Sequence, residues 1–338
     1  MKRMLTFALI ALLGTLSAAA QKKETFADRI TVAGYGMITA DLTMPSSGKT
    51  ISSFSVPRLE LLGSADITKN WKMGLTIQFN SPVMLKDMYM QYTFVPQFRI
   101  KVGQFKTPFS HENQVAPFLN PTAVGGTNPI VYFAGIGMDP LYSGTAGRDI
   151  GVDFSGDLWD NTVTYRLMVL NGKGMNTKDI KLGKSFGGSL YIRPIQGLSL
   201  HTSYMGGEHI AMGADKGIKV GELYTRHRVS AGIIADYKPI SLMAEYLYGK
   251  DNSIEGMGAY LTATVHLPKR YDIVVSGDYL KTDMNFNDAS LTSATLGVNK
   301  WFYGNCRAQL FYTYTVPSEM MHLGQKGHQI RAQLQFAF

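Results

Sequence analysis

The feature that most constrains this chain is an alternation of apolar and polar residues that begins near Ile30 and recurs up to the C-terminus. In WKMGLTIQFN, residues 71–80, every second residue from Trp71 to Phe79 is apolar, and most residues between them are polar. The segment RVSAGIIADY, residues 228–237, repeats the pattern. Successive side chains of an extended chain point to opposite faces, so each such segment is predicted to be a β-strand with one apolar face.

About sixteen segments show this alternation, and most of them contain about nine to eleven residues. Strands of globular proteins usually contain about five or six residues, whereas a tilted strand needs about nine to eleven to cross the hydrocarbon core of a bilayer. The predicted strands are 30–42, 53–62, 71–80, 85–94, 98–105, 148–155, 162–170, 185–193, 198–206, 226–237, 240–248, 257–267, 271–280, 292–300, 306–315 and 328–338.

The connections between these segments alternate in length. Residues 95–97 and 238–239 form tight turns, whereas 171–184 and 207–225 are long and polar. Short turns at one end of the strands and long loops at the other are typical of an outer-membrane barrel with both termini in the periplasm and an even number of strands. The predicted fold is therefore all-β, a transmembrane antiparallel up-and-down β-barrel.

The aromatic residues distinguish this barrel from a soluble β-sandwich, which alternates in the same way. A sandwich concentrates aromatic rings at mid-strand, in its core, whereas a barrel places them at the two membrane interfaces. On the apolar faces of this chain, aromatic residues fall at the strand ends. Those next to the short turns are Trp71, Phe94, Phe98, Tyr237, Tyr271 and Phe338, and those at the opposite ends are Phe79, Tyr204, Tyr248, Tyr279 and Tyr314.

One connection, 106–147, is about forty residues long, nearly uncharged and rich in aromatic and other apolar residues. Loops of this length without secondary structure are usually functional or disordered. Since an apolar loop packs against another surface, we expect this third long loop to fold into the lumen and to narrow the channel. The alternatives are an external cap or a contact between subunits.

The first twenty residues have the features of a cleaved signal peptide. A basic start precedes an apolar stretch at 4–16, and small residues follow at 18–20. Residues 21–338 are then expected to form a single exported barrel domain. Cys306 is the only cysteine, and we expect it to fill space on a strand face.

No arrangement of residues predicts catalysis or metal binding. The seven histidines show no ligand spacing,. The segment GKS at 183–185 lacks the first glycine of a phosphate-binding loop, and GGSLY at 187–191 lacks the last glycine of a nucleophile elbow,. The net charge of +8 is not clustered in a patch, which argues against nucleic acid,. The chain is therefore expected not to be an enzyme and to need no cofactor.

The polar faces of the strands are predicted to line the lumen. Arginine keeps its charge and presents a planar fork that suits phosphate and carboxylate groups, so an arginine-lined pore favours anions. The basic residues predicted on the anion pathway are Arg58, Arg99, Lys101, Arg166, Arg193, Arg228, Arg307 and Arg331, with Lys72 and Arg226 on the same faces. The predicted acidic partners in the lumen are Asp87, Asp149, Asp153, Asp236 and Glu245. Because the two signs nearly balance, many of these residues are expected to form structural pairs across the lumen.

Several segments resemble the phosphate-selective porin O/P family of Gram-negative outer-membrane porins. The segment LKDMYMQYTFVPQFRIKVGQFKTPFSHE, residues 85–112, is similar to the family's aspartate-bearing strand, short turn, and strand ending in GQFKxPF before the third loop. GRDIGVDFSG (147–156), VLNGKG (169–174) and LGVNKWF (296–302) follow in the family's order.

The resemblance implies a sixteen-stranded trimeric porin for passive diffusion of small hydrophilic solutes, with a preference for anions such as phosphate and polyphosphate. It also implies that Lys101 and Lys106 flank the segment that leads into the constriction loop, which adds Lys106 to the predicted anion pathway, and that Asp87 is the family's strand aspartate. Two other interpretations of the barrel stay open. One is an outer-membrane enzyme of the phospholipase or protease type, and the other is a structural or adhesive barrel with a plugged lumen.

The C-terminal segment HQIRAQLQFAF, residues 328–338, ends on a phenylalanine. We expect it to be the closing strand and to pair with the strand that begins near Ile30, so that the sheet has no free edge. A terminal aromatic residue such as Phe338 also resembles the signal that the barrel-assembly machinery reads. The predicted partners are that machinery, outer-membrane lipid and lipopolysaccharide, and further copies of the chain in a homotrimer, with small anions as solutes.

Overall fold

The computed structural model describes residues 25–80, 82–123, 125–178, 183–286, 288–319, 321 and 323–338. Within these residues sixteen antiparallel strands close into a single barrel, in which each strand pairs with its neighbours in sequence and the last strand pairs with the first. The predicted signal peptide, 1–20, lies outside the described residues.

The strands have bounds close to those that the alternation predicts, and all sixteen predicted strands are confirmed. They are β1 Ile30–Pro45, β2 Ile51–Asp66, β3 Trp71–Gln78, β4 Met84–Val95, β5 Phe98–Lys106, β6 Arg148–Leu158, β7 Val163–Leu170, β8 Ser185–Ile195, β9 Leu198–Ile210, β10 Leu223–Tyr237, β11 Ile240–Asp251, β12 Ile254–Leu267, β13 Tyr271–Lys281, β14 Ser290–Tyr303, β15 Cys306–Pro317 and β16 Gly327–Ala337. Two short 3₁₀ turns, Phe26–Arg29 and Pro268–Arg270, precede β1 and β13. The largest differences lie at strand ends, as where β2 ends at Asp66 rather than at 62, because backbone pairing continues past the apolar alternation.

The barrel closes between β1 and β16. Residues 35–45 pair in antiparallel register with residues 327–337. Beyond this ladder, the backbone N–H of Gly34 donates to the carbonyl of Phe338 at 3.1 Å, and the N–H of Phe338 donates back at 3.0 Å. The prediction that the C-terminal segment closes the sheet is confirmed, and every strand has a neighbour on each side.

The outer face of the barrel is apolar and the inner face is polar. On β12, Leu261 points outward and is 52% exposed, whereas the next residue, Thr262, points into the lumen and is 3% exposed. On β13, Val275 and Ser276 repeat this contrast. An exposed apolar band around a polar interior is what a transmembrane barrel presents to lipid and to water.

Aromatic rings on the outer face gather at the short-turn ends of β3, β4 and β5. The ring centroid of Tyr92 lies 4.8 Å from that of Trp71 and 4.6 Å from that of Phe94, and Phe94 lies 5.4 Å from Phe98. Amphipathic and aromatic rings of this kind favour the level of the membrane interface. The short turns therefore mark one edge of the apolar band.

The third long connection lies inside the barrel, as predicted. It comprises residues 107–147, called the inner loop below, and joins β5 to β6. It contains two short helices, α1 (His111–Gln114) and α2 (Asn128–Phe133), and two 3₁₀ turns, Pro117–Leu119 and Pro140–Tyr142. None of the helices in the described part of the chain is long and apolar enough to span a membrane.

The inner loop shares an apolar core with the barrel wall. Phe109, Ile130 and Phe133 of the loop are buried and belong to one cluster with Met205 of β9 and Leu247 of β11. The apolar residues of this loop thus bury themselves against a lumen that is otherwise polar. The loop is a packed part of the molecule rather than an external cap.

We expect Leu261→Arg to lower the free energy of unfolding by about 2–4 kcal/mol, because it places a charge near the middle of the lipid-facing band. Leu267→Arg, at the short-turn end of the same strand, should cost about 1 kcal/mol or less. Urea unfolding in lipid vesicles, followed by tryptophan fluorescence, measures both. Equal losses for the two variants would contradict the assignment of the outer face.

Candidate functional site

Glu245 of β11 holds the start of the inner loop. Its carboxylate accepts hydrogen bonds from Ser110 Oγ at 2.8 Å and from the backbone N–H groups of His111 at 2.9 Å and Glu112 at 3.1 Å. Tyr260 of β12 donates to the same carboxylate at 2.7 Å. Glu245 is buried, and hydrogen bonds to an ionised acceptor are about twice as strong as neutral ones. This carboxylate therefore fixes α1 against the wall.

Two buried arginines of β10 hold the second half of the inner loop. Arg226 pairs with Asp139 of the loop and donates to the carbonyl of Phe133 at 3.2 Å. Arg228 binds Asp251 of β11 through two contacts of 2.8 Å each, and its guanidinium also lies 3.6 Å from Asp139 of the loop. Removing one partner of a buried pair leaves an uncompensated charge, which is strongly destabilising. These charges therefore act as structural anchors.

Strands β13 to β16 hold the middle of the inner loop. Asn128 of α2 donates to Asp278 at 2.7 Å and to Ser293 at 2.8 Å. Arg331 of β16 donates to the carbonyl of Ala123 at 3.0 Å. The loop thus contacts opposite sides of the barrel wall, and its position across the lumen is defined.

Two glycines let α2 approach the wall closely. A Cβ atom at Gly258 would lie 2.7 Å from a side-chain atom of Pro129, and one at Gly249 would lie 2.6 Å from the ring of Phe133. Both distances are shorter than those that Cβ atoms tolerate. A larger residue at either position would displace the loop.

Two adjacent cavities remain between the inner loop and the wall. The hydroxyl cavity, about 430 Å³, lies on the long-loop side between the loop and β13 to β16, and the arginine cavity, about 210 Å³, lies between the loop and β1, β2 and β16. Thr122 of the inner loop lines both, beside the turn formed by Gly125 and Gly126. The arginine cavity is lined by Met37, Pro57, Arg58, Pro117, Thr122, Ala123, Gly125, Arg331 and Gln333.

Two guanidinium groups form part of the wall of the arginine cavity. Arg331 binds Asp41 through contacts of 2.6 and 3.1 Å. Arg58 lies 3.3 Å from the carboxylate of Glu60, which also accepts a hydrogen bond from Lys86 Nζ at 2.6 Å. The side chains of both arginines remain 23% exposed. The three cations Arg58, Lys86 and Arg331 are thus paired with only two carboxylates, Glu60 and Asp41. The net charge at the cavity is therefore positive.

A smaller space of about 50 Å³ borders the arginine cavity and adds further charged groups. Lys106 donates to the carbonyl of Val115 at 3.0 Å and forms no ion pair with a carboxylate of the described residues. Arg148 binds Asp87 through contacts of 2.8 and 3.0 Å. Burial raises the pKa of Glu112, in the inner loop, to about 7, so this carboxyl is only partly ionised at neutral pH. Arg58, Lys86 and Arg148 face Glu60 and Asp87 around this space, so the balance of charge is again positive.

The other predicted basic residues that reach the lumen surface are paired or packed. Their contacts are Arg99 with Asp157 at 2.8 Å, Arg166 with Asp153 at 2.7 Å, Arg193 with the carbonyl of Asn161 at 3.0 Å, and Lys101 over the ring of Tyr89 at 4.6 Å. Of these four, Lys101 and Arg193 have no carboxylate partner in the described part of the chain.

Two of the predicted pore residues are buried instead of facing open space. Arg228 is 0% exposed and lies behind the inner loop, so its assignment to the anion pathway is corrected to an anchoring role. Arg307 is 1% exposed and donates to the carbonyl of Asn120 at 2.6 Å, although it borders a cavity of about 260 Å³ near the short-turn end. The alternation identifies side chains that point inward, but it does not reveal which of them the loop covers.

Three of the five predicted acidic partners bind groups other than lumen arginines. They are Asp149, Asp236 and Glu245. Asp149 accepts hydrogen bonds from Tyr142 Oη at 3.2 Å and from the N–H of Gly172 at 2.8 Å, whereas Asp236 accepts one from a neighbouring serine. These carboxylates position loops and turns.

Lys86 belongs to the site although the alternation does not reveal it. The register of β3 and β4 shifts, so that Thr76 lies opposite Asp87 but Ile77 lies opposite Leu85. Lys86 is the extra residue of this bulge, and it points into the lumen beside Asp87. A bulge inserts one residue and breaks the period of two, and nothing in the sequence marks it.

A hydrogen-bonded row crosses four strands near the short-turn end of the lumen. Ser241 Oγ lies 2.8 Å from His266 Nε2, and His266 Nδ1 lies 2.8 Å from Asp272. Ser241 also donates to Asp236 at 2.7 Å. No sequence motif marks this group, because its members come from different strands.

Residues 39–115 match the model of the family described as phosphate-selective porin O and P. The matched residues run from β1 through β5 into α1 and include Arg58, Lys86 and Lys106. No curated protein matches the chain.

Solved porin structures share the fold. An anion-selective porin from Comamonas acidovorans superposes with a TM-score of 0.67 at 13% identity, over 91% of this chain and 99% of that chain. Salmonella typhi OmpF, in a complex with daunomycin, gives 0.69 at 11% identity over 93% and 100%. The trimer form of Vibrio cholerae OmpT gives 0.64 at 11% identity over 92% and 100%. At these identities the comparison shows that the fold is shared.

We expect Glu245→Ala to raise the single-channel conductance in planar bilayers and to make it fluctuate between levels. The substitution leaves buried donors of the inner loop unpaired, at a cost of about 1–3 kcal/mol for each group, so the loop detaches and the lumen widens. Glu245→Gln keeps one acceptor oxygen and should give an intermediate result. The matched control is Glu255→Ala, which removes an exposed partner of Lys250; a wild-type conductance for Glu245→Ala would disprove the anchoring role.

Proposed function

We propose that this chain belongs to the phosphate-selective porin O and P family, whose model matches residues 39–115. It forms a water-filled channel for passive diffusion of small hydrophilic solutes across the outer membrane. We propose that it prefers anions, including phosphate and polyphosphate. The observation that carries the proposal is the arginine cavity, where Arg58 and Arg331 stay partly exposed beside the inner loop. The solute gradient supplies the driving force.

The chemistry of the two arginines supports an anion preference. A guanidinium group stays charged at all physiological pH values and can bind an oxyanion through two parallel N–H groups. An anion that loses part of its hydration shell in the narrow lumen therefore finds donors that replace it. Salt screens such charges over about 8 Å at physiological ionic strength, so the preference should be greatest in dilute salt.

The assembly of the protein is also a proposal. We propose that residues 21–338 form one barrel domain after removal of 1–20, and that three copies associate. The trimer form of Vibrio cholerae OmpT, which has a similar fold, supports this. We propose that the barrel-assembly machinery reads the exposed Phe338 and that lipid and lipopolysaccharide cover the apolar band.

We expect the double variant Arg58→Gln/Arg331→Gln to lower the chloride-over-potassium permeability ratio by about sixteenfold. One unit positive charge at about 10 Å in water lowers the energy of a passing chloride ion by about 0.4 kcal/mol and raises that of a potassium ion by the same amount, so each arginine changes the ratio by a factor of about four. Reversal potentials in planar bilayers under a salt gradient measure the ratio. Lys49→Gln, in the exposed turn between β1 and β2, is the control and should leave the ratio unchanged.

Three results would count against this proposal. An unchanged reversal potential would remove the two arginines from the pathway, and a cation preference of the wild type would refute anion selectivity. Absence of channels would favour the plugged structural barrel. Arg99→Ala and Lys101→Ala should also lower the ratio, but by less, because Arg99 is paired and Lys101 is packed over a ring.

A second candidate function is hydrolysis, because Ser241, His266 and Asp272 form a hydrogen-bonded row. The distances fit a nucleophile, a general base and an orienting carboxylate. However, a serine hydroxyl has one proton, and Ser241 donates it to Asp236, so the proton that the base would need to accept is already engaged. We propose that the row braces the turn between β10 and β11 and that the chain is not an enzyme.

We expect that purified protein will not hydrolyse phospholipid and that a fluorophosphonate probe will not label it. Mass spectrometry of the peptide that contains Ser241 measures the labelling, and Ser241→Ala is the reference for background. Labelling of the wild type that Ser241→Ala abolishes would establish a nucleophile and overturn the assignment of a purely passive channel.

A further inference from the structure

We infer that the passage selects polyhydroxylated anions, namely sugars that carry one phosphate or carboxylate group. This inference rests on the proposed anion channel and adds the class of solute. A solute that enters from the long-loop side meets the hydroxyl cavity first and the arginine cavity second, and the two adjoin at Thr122. Each cavity has its own chemistry, and a sugar anion satisfies both.

The hydroxyl cavity is lined mainly by hydroxyl and amide groups. Its polar lining includes Thr122, Asn128, Ser293, Thr295, Thr313 and Thr315. Among the described residues that line it there is no Lys or Arg, and Asp278 and His328 are the titratable groups. Its volume of about 430 Å³ falls in the range of about 300–1,000 Å³ typical of small-molecule sites.

The hydroxyls of β14 and β15 are arranged as cross-strand pairs. Thr295 Oγ1 lies 3.0 Å from Thr313 Oγ1, and Ser293 Oγ lies 3.1 Å from Thr315 Oγ1. Each hydroxyl has one proton and two acceptor lone pairs. A pair uses one proton internally, so a second proton and several lone pairs remain. Such a surface both donates and accepts hydrogen bonds, as a sugar hydroxyl does. Chloride or phosphate would use mainly the hydrogen-bond donors of the surface.

Asp278 determines which end of the solute fits here. Asn128 donates to one carboxylate oxygen of Asp278 at 2.7 Å, and the carboxylate keeps further acceptor sites. It repels the charged end of an anion but accepts hydrogen bonds from hydroxyl groups. A sugar anion would therefore lie with its hydroxyls beside Asp278 and its charged group toward Arg58 and Arg331.

Competing solutes satisfy only part of the passage. Inorganic phosphate gains from the arginine cavity but meets an acidic, hydroxyl-lined entrance. A neutral sugar gains from the hydroxyl cavity, where Met138 and Leu291 also offer apolar contact to its ring, but not from the arginines. A solute with both groups gains from both cavities at once.

The experiment measures how each solute blocks the chloride current of the full-length protein in planar bilayers. The solutes are glucose 6-phosphate, gluconate, inorganic phosphate and glucose. We expect half-block by at least one sugar anion at about a fourfold lower concentration than by phosphate, the product of two hydrogen bonds each contributing about a factor of two. Glucose 6-phosphate and gluconate distinguish the phosphate from the carboxylate form of the class.

Matched variants test the role of the hydroxyls. Thr295→Val/Thr313→Val keeps the shape of the wall but removes one pair, and it should abolish the advantage of sugar anions over phosphate. Thr39→Val/Ser55→Ala removes a pair with an Oγ separation of 2.7 Å on β1 and β2, outside the hydroxyl cavity, and should preserve that advantage. Chloride conductance in the same recordings shows that each variant is folded.

The outcomes separate this inference from the proposed function. Equal block by phosphate and by both sugar anions, equal block by glucose, or an unchanged advantage in Thr295→Val/Thr313→Val overturns the inference while anion-selective channels remain. Absence of channels or of chloride-over-potassium selectivity overturns the proposed function itself. An advantage of either sugar anion that disappears in the cavity variant and persists in the control variant supports the inference.

Discussion

Pairing of every backbone N–H and C=O group within the lipid is the constraint on which this molecule depends. A hydrocarbon core offers no water to an unpaired strand, so an open sheet cannot cross it. The pairing of β1 with β16, continued by the mutual hydrogen bonds of Gly34 and Phe338, satisfies the constraint. Closure then divides the side chains into an outer apolar set and an inner polar set, because alternate residues point to opposite faces.

Closure of sixteen strands leaves a lumen that is too wide to be filled by wall side chains alone. The inner loop occupies it, and the wall meets the loop with charges that match its polar groups. Glu245 accepts hydrogen bonds from the N–H groups at the start of α1, and Arg226 donates to Asp139 near the loop's end. Many lumen charges are therefore structural. Those that remain near open space, such as Arg58 and Arg331, are the ones that we propose to contact solutes.

The space that remains in the lumen consists of two adjoining cavities with different linings. Hydroxyl pairs and Asp278 line the wider cavity, and a shared excess of cations lines the narrower one. Neither cavity is formed by the wall alone, since Thr122 of the inner loop contributes to both. The selectivity that we propose is thus a property of the loop and the wall together.

The sequence by itself determined the sixteen strands, their order, the closing strand and the inner loop. Each strand faces lipid on one side and water on the other, so its side chains alternate between apolar and polar, and its aromatic residues lie at the interfaces; both patterns are visible within a short segment. It also identified Arg58 and Arg331 as inward-pointing residues. Only the tertiary structure decided that Arg228 is covered while these two are partly open, and that Lys86 enters the lumen at a bulge. Burial within a lumen depends on what the inner loop covers, and that loop is positioned by contacts between residues far apart in the chain, which no local periodicity encodes.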